Sequence, residues 1–197
     1  MKKTISFVRT FIPADLFKKE YALGGLTIYH IDEQLNVEMS AYECWECSVR
    51  SGEYTQDEVM AAFEEFKAKL AASELATTKA QKTAEIDAYD TSPAVNGFIL
   101  NGERVWLDFE LRDRVYQGNE RLQRIGRTDT TLWLGKQCYN LSIEQAQNII
   151  SHIEAYAKDC YNVTAAHKKA VSELTTIEEV EKYDITAGYP AQLKMEV

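Results

Sequence analysis

From Ile143 onward, apolar residues recur at alternating spacings of three and four: Ile143, Ala146, Ile150, Ile153, Ala157 and Cys160. Only an α-helix brings such positions onto one face. The same register continues through Thr164, His167, Val171 and Leu174. Ser142 precedes the stripe and Gln145 follows three residues later, the signature of a capping box. Unbroken, this helix spans about 33 residues and roughly 50 Å at 1.5 Å per residue. The alternative is a break near Asn162, because Asp159, Asn162 and Thr164 are mediocre helix formers. A helix of that length with a heptad-like stripe needs an apolar surface to lie against, within its own chain or on another.

Two hairpins are predicted ahead of it. Val95–Leu100 and Glu103–Leu107 flank Asn101-Gly102, the dipeptide that supplies the positive φ values of a type I′ turn. A two-residue loop pairs Phe98 with Val105 and places Leu100 and Leu107 on their face, with Ile99 and Trp106 on the other. Thr131–Leu134 and Gln137–Leu141 flank Gly135-Lys136, which suits a type II′ turn. Trp106 and Trp133 are expected as core anchors. Between the hairpins a helix is expected from about Asp108, carrying Leu111, Val115, Leu122 and Ile125, interrupted by Gly118 and ended by Gly126. Thr176 and Glu179 start a last short helix, and Asp184–Pro190 close as an irregular tail.

The first 55 residues differ. Aromatic and β-branched residues dominate, with glycines at Gly24, Gly25 and Gly52. Leu26–Ile31 and Asn36–Val49 are expected as strands of a small antiparallel sheet, with Val37, Met39 and Ala41 on one side of the pleat. Thr55 and Glu58 then open a helix with the stripe Val59, Phe63, Phe66 and Leu70. Beyond Leu70 the stripe fades into Ser73, Thr77, Ala80 and Ala84, so residues 71–88 read as a semi-rigid helical linker. The expected class is α+β. Its parts are a β-rich docking region at 1–55, an amphipathic helix and linker at 56–88, and an α+β module at 89–197.

Charge narrows the function classes. Thirty-one acidic residues against 22 basic ones give a net charge of −9. Such a chain repels phosphate backbones, so no nucleic-acid partner is expected. No apolar run approaches a membrane span, so no membrane partner is expected. Met1-Lys2-Lys3-Thr4 looks like the start of a signal peptide, but Arg9, Pro13 and Asp15 break the apolar stretch that should follow. The sequons at Asn140 and Asn162 carry no weight without secretion. Four cysteines in 197 residues do not make a disulfide scaffold.

Residues that could carry chemistry are few. Cys44-Trp45-Glu46-Cys47 is the one redox-like or metal-like motif, but it lies in a strand-like segment that points the two thiols to opposite faces. Cys138 and Cys160 are not spaced as a second zinc-ligand pair. His30, His152 and His167 match no catalytic or metal motif. No catalytic residue, metal ligand or cofactor is therefore expected. Six of the eight arginines, Arg104, Arg112, Arg114, Arg121, Arg124 and Arg127, fall in one stretch. They form either a solvated helix face laced with ion pairs or a docking surface for an acidic partner or another subunit.

One resemblance adds to this. Tyr89-Asp90-Thr91-Ser92 with Val95-Asn96, Leu100-Asn101-Gly102, Trp106-Leu107-Asp108 and Thr131-Leu132-Trp133 form ordered blocks. They continue with Tyr161-Asn162-Val163-Thr164-Ala165-Ala166-His167-Lys168, Ile177-Glu178-Glu179-Val180, Tyr183-Asp184 and Thr186-Ala187-Gly188-Tyr189-Pro190. Together they resemble an uncharacterised domain family of tailed bacteriophages and prophages, over about residues 86–195. Phe109-Glu110 departs from that family's more usual small or basic residues. The N-terminal half resembles the short β-rich leaders of such proteins. The resemblance implies a protein often encoded near tail-fibre or adhesin genes, and it implies no catalytic residues. The expected function is a non-enzymatic structural or adaptor protein of the virion, in the tail or fibre-attachment region, working by protein–protein contacts and as an oligomer. It would sit in the virion, and in the host cytoplasm during assembly. A tail-fibre assembly chaperone is the alternative, and a thiol-dependent redox enzyme using Cys44 and Cys47 a more distant one.

Overall fold

The computed structural model describes residues 4–17, 26–50, 52–134 and 136–196. Gly24, Gly25 and Gly135 lie outside them, as do the first three residues. The chain is mixed α+β and divides into two compact units at Glu74/Leu75.

The first unit holds strands β1 (Val8–Pro13), β2 (Leu26–Asn36) and β3 (Ala41–Arg50) in the antiparallel order β1-β3-β2. Pro13 ends β1, an edge strand, where its missing N–H costs no ladder bond. The sequence suggests one strand over Asn36–Val49. In the structure residues 37–40 turn between β2 and β3, with Ser40 at φ 49°. Val37 and Met39 therefore stand exposed at the turn, not on a pleat with Ala41. Helix α1 (Gln56–Asp90) starts in this unit. Thr55 and Glu58 cap it reciprocally, at 2.7 Å and 3.2 Å between backbone nitrogens and side-chain oxygens. Val59 and Phe63 pack with Ile31, Cys47 and Val49, and Phe66 closes over them with Phe7 and Trp45. That face follows the predicted stripe.

The second unit contains the rest of α1, hairpin β4 (Phe98–Leu100) and β5 (Glu103–Val105), helix α2 (Phe109–Arg124), and hairpin β6 (Asp129–Leu134) and β7 (Gln137–Ser142). Helices α3 (Ile143–Glu173) and α4 (Ile177–Glu181) and strand β8 (Lys194–Met195) follow. Asn101 (φ 49°) and Gly102 (φ 83°) make the first hairpin turn in the left-handed region, and Phe98 pairs with Val105 as expected. β8 runs parallel to β4 and extends that sheet.

Helix α3 is continuous through Asn162, with a capping box at Ser142 and Gln145. Its stripe buries Ile143, Ala146, Ile150, Ile153, Cys160, Thr164, His167 and Val171, together with Ile149 and Tyr156. The main core gathers Phe98, Leu100, Leu107, Leu132, Leu134, Ile150 and Ile153. The heptad-like face is thus covered largely from within the chain.

Four sequence expectations change here. Residues 75–90 are not a bare linker. Ile86 is fully buried against Val171 and Val180, with Leu75 beside them, and Lys79 Nζ donates to the Ser172 carbonyl at 2.7 Å. The dividing line therefore falls at Glu74/Leu75 and not near residue 88, because the last turns of α1 supply core to the second unit. Trp133 is no core anchor. Leu132 and Leu134 take the inward side of β6, and the pleat turns Trp133 outward, 63% exposed. Gly118 does not interrupt α2.

Candidate functional site

The arginine stretch comes apart once folded. Asp108 caps α2 by accepting from Leu111 N–H at 2.7 Å, which fixes the helix start at Phe109. One turn in, Arg112 points inward and is 6% exposed. Its Nε donates to Glu154 of α3 at 2.7 Å and its Nη1 to the Leu107 carbonyl at 2.6 Å. Its guanidinium lies over the rings of Trp106 and Phe109, at 5.4 and 5.9 Å from their centroids. A planar cation satisfied at its edge and stacked on aromatic rings is held in place, so Arg112 leaves the expected docking face. Arg104 donates to the Pro93 carbonyl, Arg127 pairs with Asp129 at 3.0 Å, and Arg124 stands 3.9 Å from Glu120. Arg114 and Arg121 remain exposed on one flank of α2, beside Glu110 and Asp113.

A groove of about 400 Å³ runs between α2 and α3 above the Arg112–Glu154 pair. Phe109, Tyr116 and Ile150 supply its apolar wall, and Asp113 and Ser151 its polar one. Phe109 is 65% exposed at the mouth. Nothing in the sequence connects Phe109 with Tyr116 and Glu154, because their association depends on how two helices far apart in the chain pack.

A second constellation joins the ends of the unit. A carboxylate only accepts, so the Thr164 hydroxyl donates to Asp90 Oδ1 at 2.6 Å, and Tyr189 O–H then donates to Thr164 Oγ1 at 2.8 Å. One turn on, His167 Nε2 is 2.8 Å from the Ala187 carbonyl and therefore carries the hydrogen. Its Nδ1 lies 2.8 Å from Tyr183 O–H, which donates to it in the neutral tautomer. Tyr189 stacks on the His167 ring and meets Tyr89 edge-on. Gly188, at φ 80°, takes the left-handed conformation that the turn of the tail requires. These residues come from the sequence blocks Tyr89–Ser92, Tyr161–Lys168, Tyr183-Asp184 and Thr186–Pro190. In the fold they tie the end of α1, the middle of α3 and the C-terminal tail together. His167 here is a satisfied core residue, and His152 is exposed.

The two cysteines of the Cys44-Trp45-Glu46-Cys47 motif do not come together as a pair. Cys44 and Cys47 lie on opposite faces of β3: Cys47 packs under α1, and Cys44 sits opposite Thr10. Burial, then neighbouring carboxylates led by Glu46, push the Cys44 thiol up. Cys160 is likewise pushed up by burial. Among the described residues no cluster of His, Cys, Asp or Glu could hold a metal ion, and no helix is long and apolar enough to cross a membrane. No family model, curated protein or solved structure matches the chain.

Proposed function

We propose that the protein is a non-enzymatic structural adaptor of a tailed bacteriophage particle, working by protein–protein contact in the tail or fibre-attachment region. One observation carries this reading. Each compact unit has its own core and its own set of exposed large apolar side chains. The first presents Val8, Leu16, Val37 and Met39, and the second Phe109, Ile125, Trp133 and Tyr161. Large apolar side chains exposed on both units offer each of them material for a contact of its own, as suits a protein that joins two neighbours. The sequence blocks spanning Tyr89–Pro190 supply the phage context. Quantitative mass spectrometry of purified particles tests the proposal. The chain should be present in fixed stoichiometry with tail proteins. Its absence from particles, with abundance in infected-cell lysate, would overturn the virion role in favour of an assembly chaperone.

A further inference from the structure

Between the end of α1, the loop before β4 and the middle of α3 lies a hollow of about 110 Å³. Its polar lining is Asp90, Asn96, Trp106, Cys160 and Tyr161, and the side chains of Val95 and Ala157 complete the wall. Asp90 carries its one formal charge. Thr164 occupies Oδ1, and Oδ2 has no hydrogen-bond partner among the described residues. The neighbouring cations are already committed. Lys168 pairs with Asp87 and feels the Asp90 carboxylate only at longer range, and Arg112, stacked on Trp106, is neutralised by Glu154. Cys160, pushed up by burial, stays an uncharged thiol. Tyr161 is 69% exposed and stands at the mouth, so the hollow opens to solvent past an aromatic ring.

We propose that this hollow is a binding site for a primary alkylammonium group. The carboxylate oxygen of Asp90 not taken by Thr164 accepts from the ammonium, and the aromatic side chains of Trp106 and Tyr161 line the same hollow, where their rings can attract that charge. Val95 and Ala157 contact the methylene stem, as apolar walls do along a lysine side chain. An anion would meet Asp90, and an uncharged alkyl group would leave that carboxylate desolvated without compensation. The site is a separate hollow from the α2–α3 groove, joined to it through the Arg112–Trp106 stack, and it does not rest on the adaptor reading.

Nuclear magnetic resonance of the full chain tests it, following the Trp106 indole N–H assigned through Trp106→Phe. Nα-acetyl-lysine amide should shift that resonance saturably, and Nα-acetyl-norleucine amide, uncharged with a similar stem, should not. Asp90→Asn should weaken binding about tenfold or more, in keeping with a lost charge-assisted hydrogen bond. Because Asp90 also holds Thr164, Tyr161→Ala at the exposed mouth provides a second variant. It should weaken binding several-fold with an unchanged melting temperature. Putrescine distinguishes the sources. Tighter binding of putrescine identifies a free amine, and tighter binding of the lysine probe identifies a partner's side chain; either supports the site. Equal shifts from the lysine and norleucine probes, no shift at Trp106, or wild-type affinity in both variants would overturn it.

Discussion

Arg112 illustrates how a charged residue becomes part of a packed interior. Its cost of burial is offset by Glu154, by the Leu107 carbonyl and by two aromatic rings, and the balance is asymmetric. Glu154 is half exposed and can return to water, whereas Arg112 cannot. Glu154→Ala should therefore destabilise the fold by about 2 kcal/mol, a value discounted for the exposure of the carboxylate. Arg112→Met combined with Glu154→Ala should recover most of that loss, because no buried charge is then left unpaired. Urea denaturation of the three proteins measures it. Equal destabilisation in the single and double variants would contradict this account. Trp133 makes the complementary point. Large and aromatic, it faces solvent because Leu132 and Leu134 already claim the inner side of its strand, and two-residue alternation in the sequence contained that information.

Among the elements, α4 is short enough to depend on its first residues. Hydrogen bonds from the Thr176 side chain, and then from the backbone N–H groups of Thr175 and Thr176, hold the Glu179 carboxyl below its ordinary value. A depressed folded-state value means stability that is present above the usual glutamate pKa, near 4.5, and lost as pH falls through the lowered one. Wild type should thus lose its thermal advantage over Glu179→Gln between pH 6 and pH 3. A gap in melting temperature that stays constant over that range would count against the cap. This box, like those at Thr55 and Ser142, was legible because a capping box is local: two residues three apart suffice. The stripe of α3 was legible for the same reason. Ile86 was not. It is an isolated apolar residue in a stretch of Ala, Thr and Lys, and Val171 and Val180, which bury it, lie far along the chain. The Arg112–Glu154 pair spans 42 residues and is invisible to spacing rules for the same reason.

For the whole molecule, the division at Glu74/Leu75 coincides with a division of the cores. The cluster around Phe63 draws on residues no later than Phe66, and the other three draw on Leu75 and beyond. A fragment of residues 75–197 should therefore unfold cooperatively on its own, with the near-ultraviolet circular dichroism of packed aromatic residues. A non-cooperative melt would show that the first unit is needed to complete the second. The exposed surface of that second unit also offers a chemical handle. Of the four cysteines, Cys44, Cys47 and Cys160 are buried, and Cys138 is exposed on β7 directly across from Trp133. Native protein should accordingly take up one maleimide per chain, at Cys138, and incorporation of two or more would contradict the burial of the others. A fluorophore placed there would sit beside an indole ring, close enough for contact quenching, so any molecule covering the outer face of the hairpin would announce itself as a change in emission.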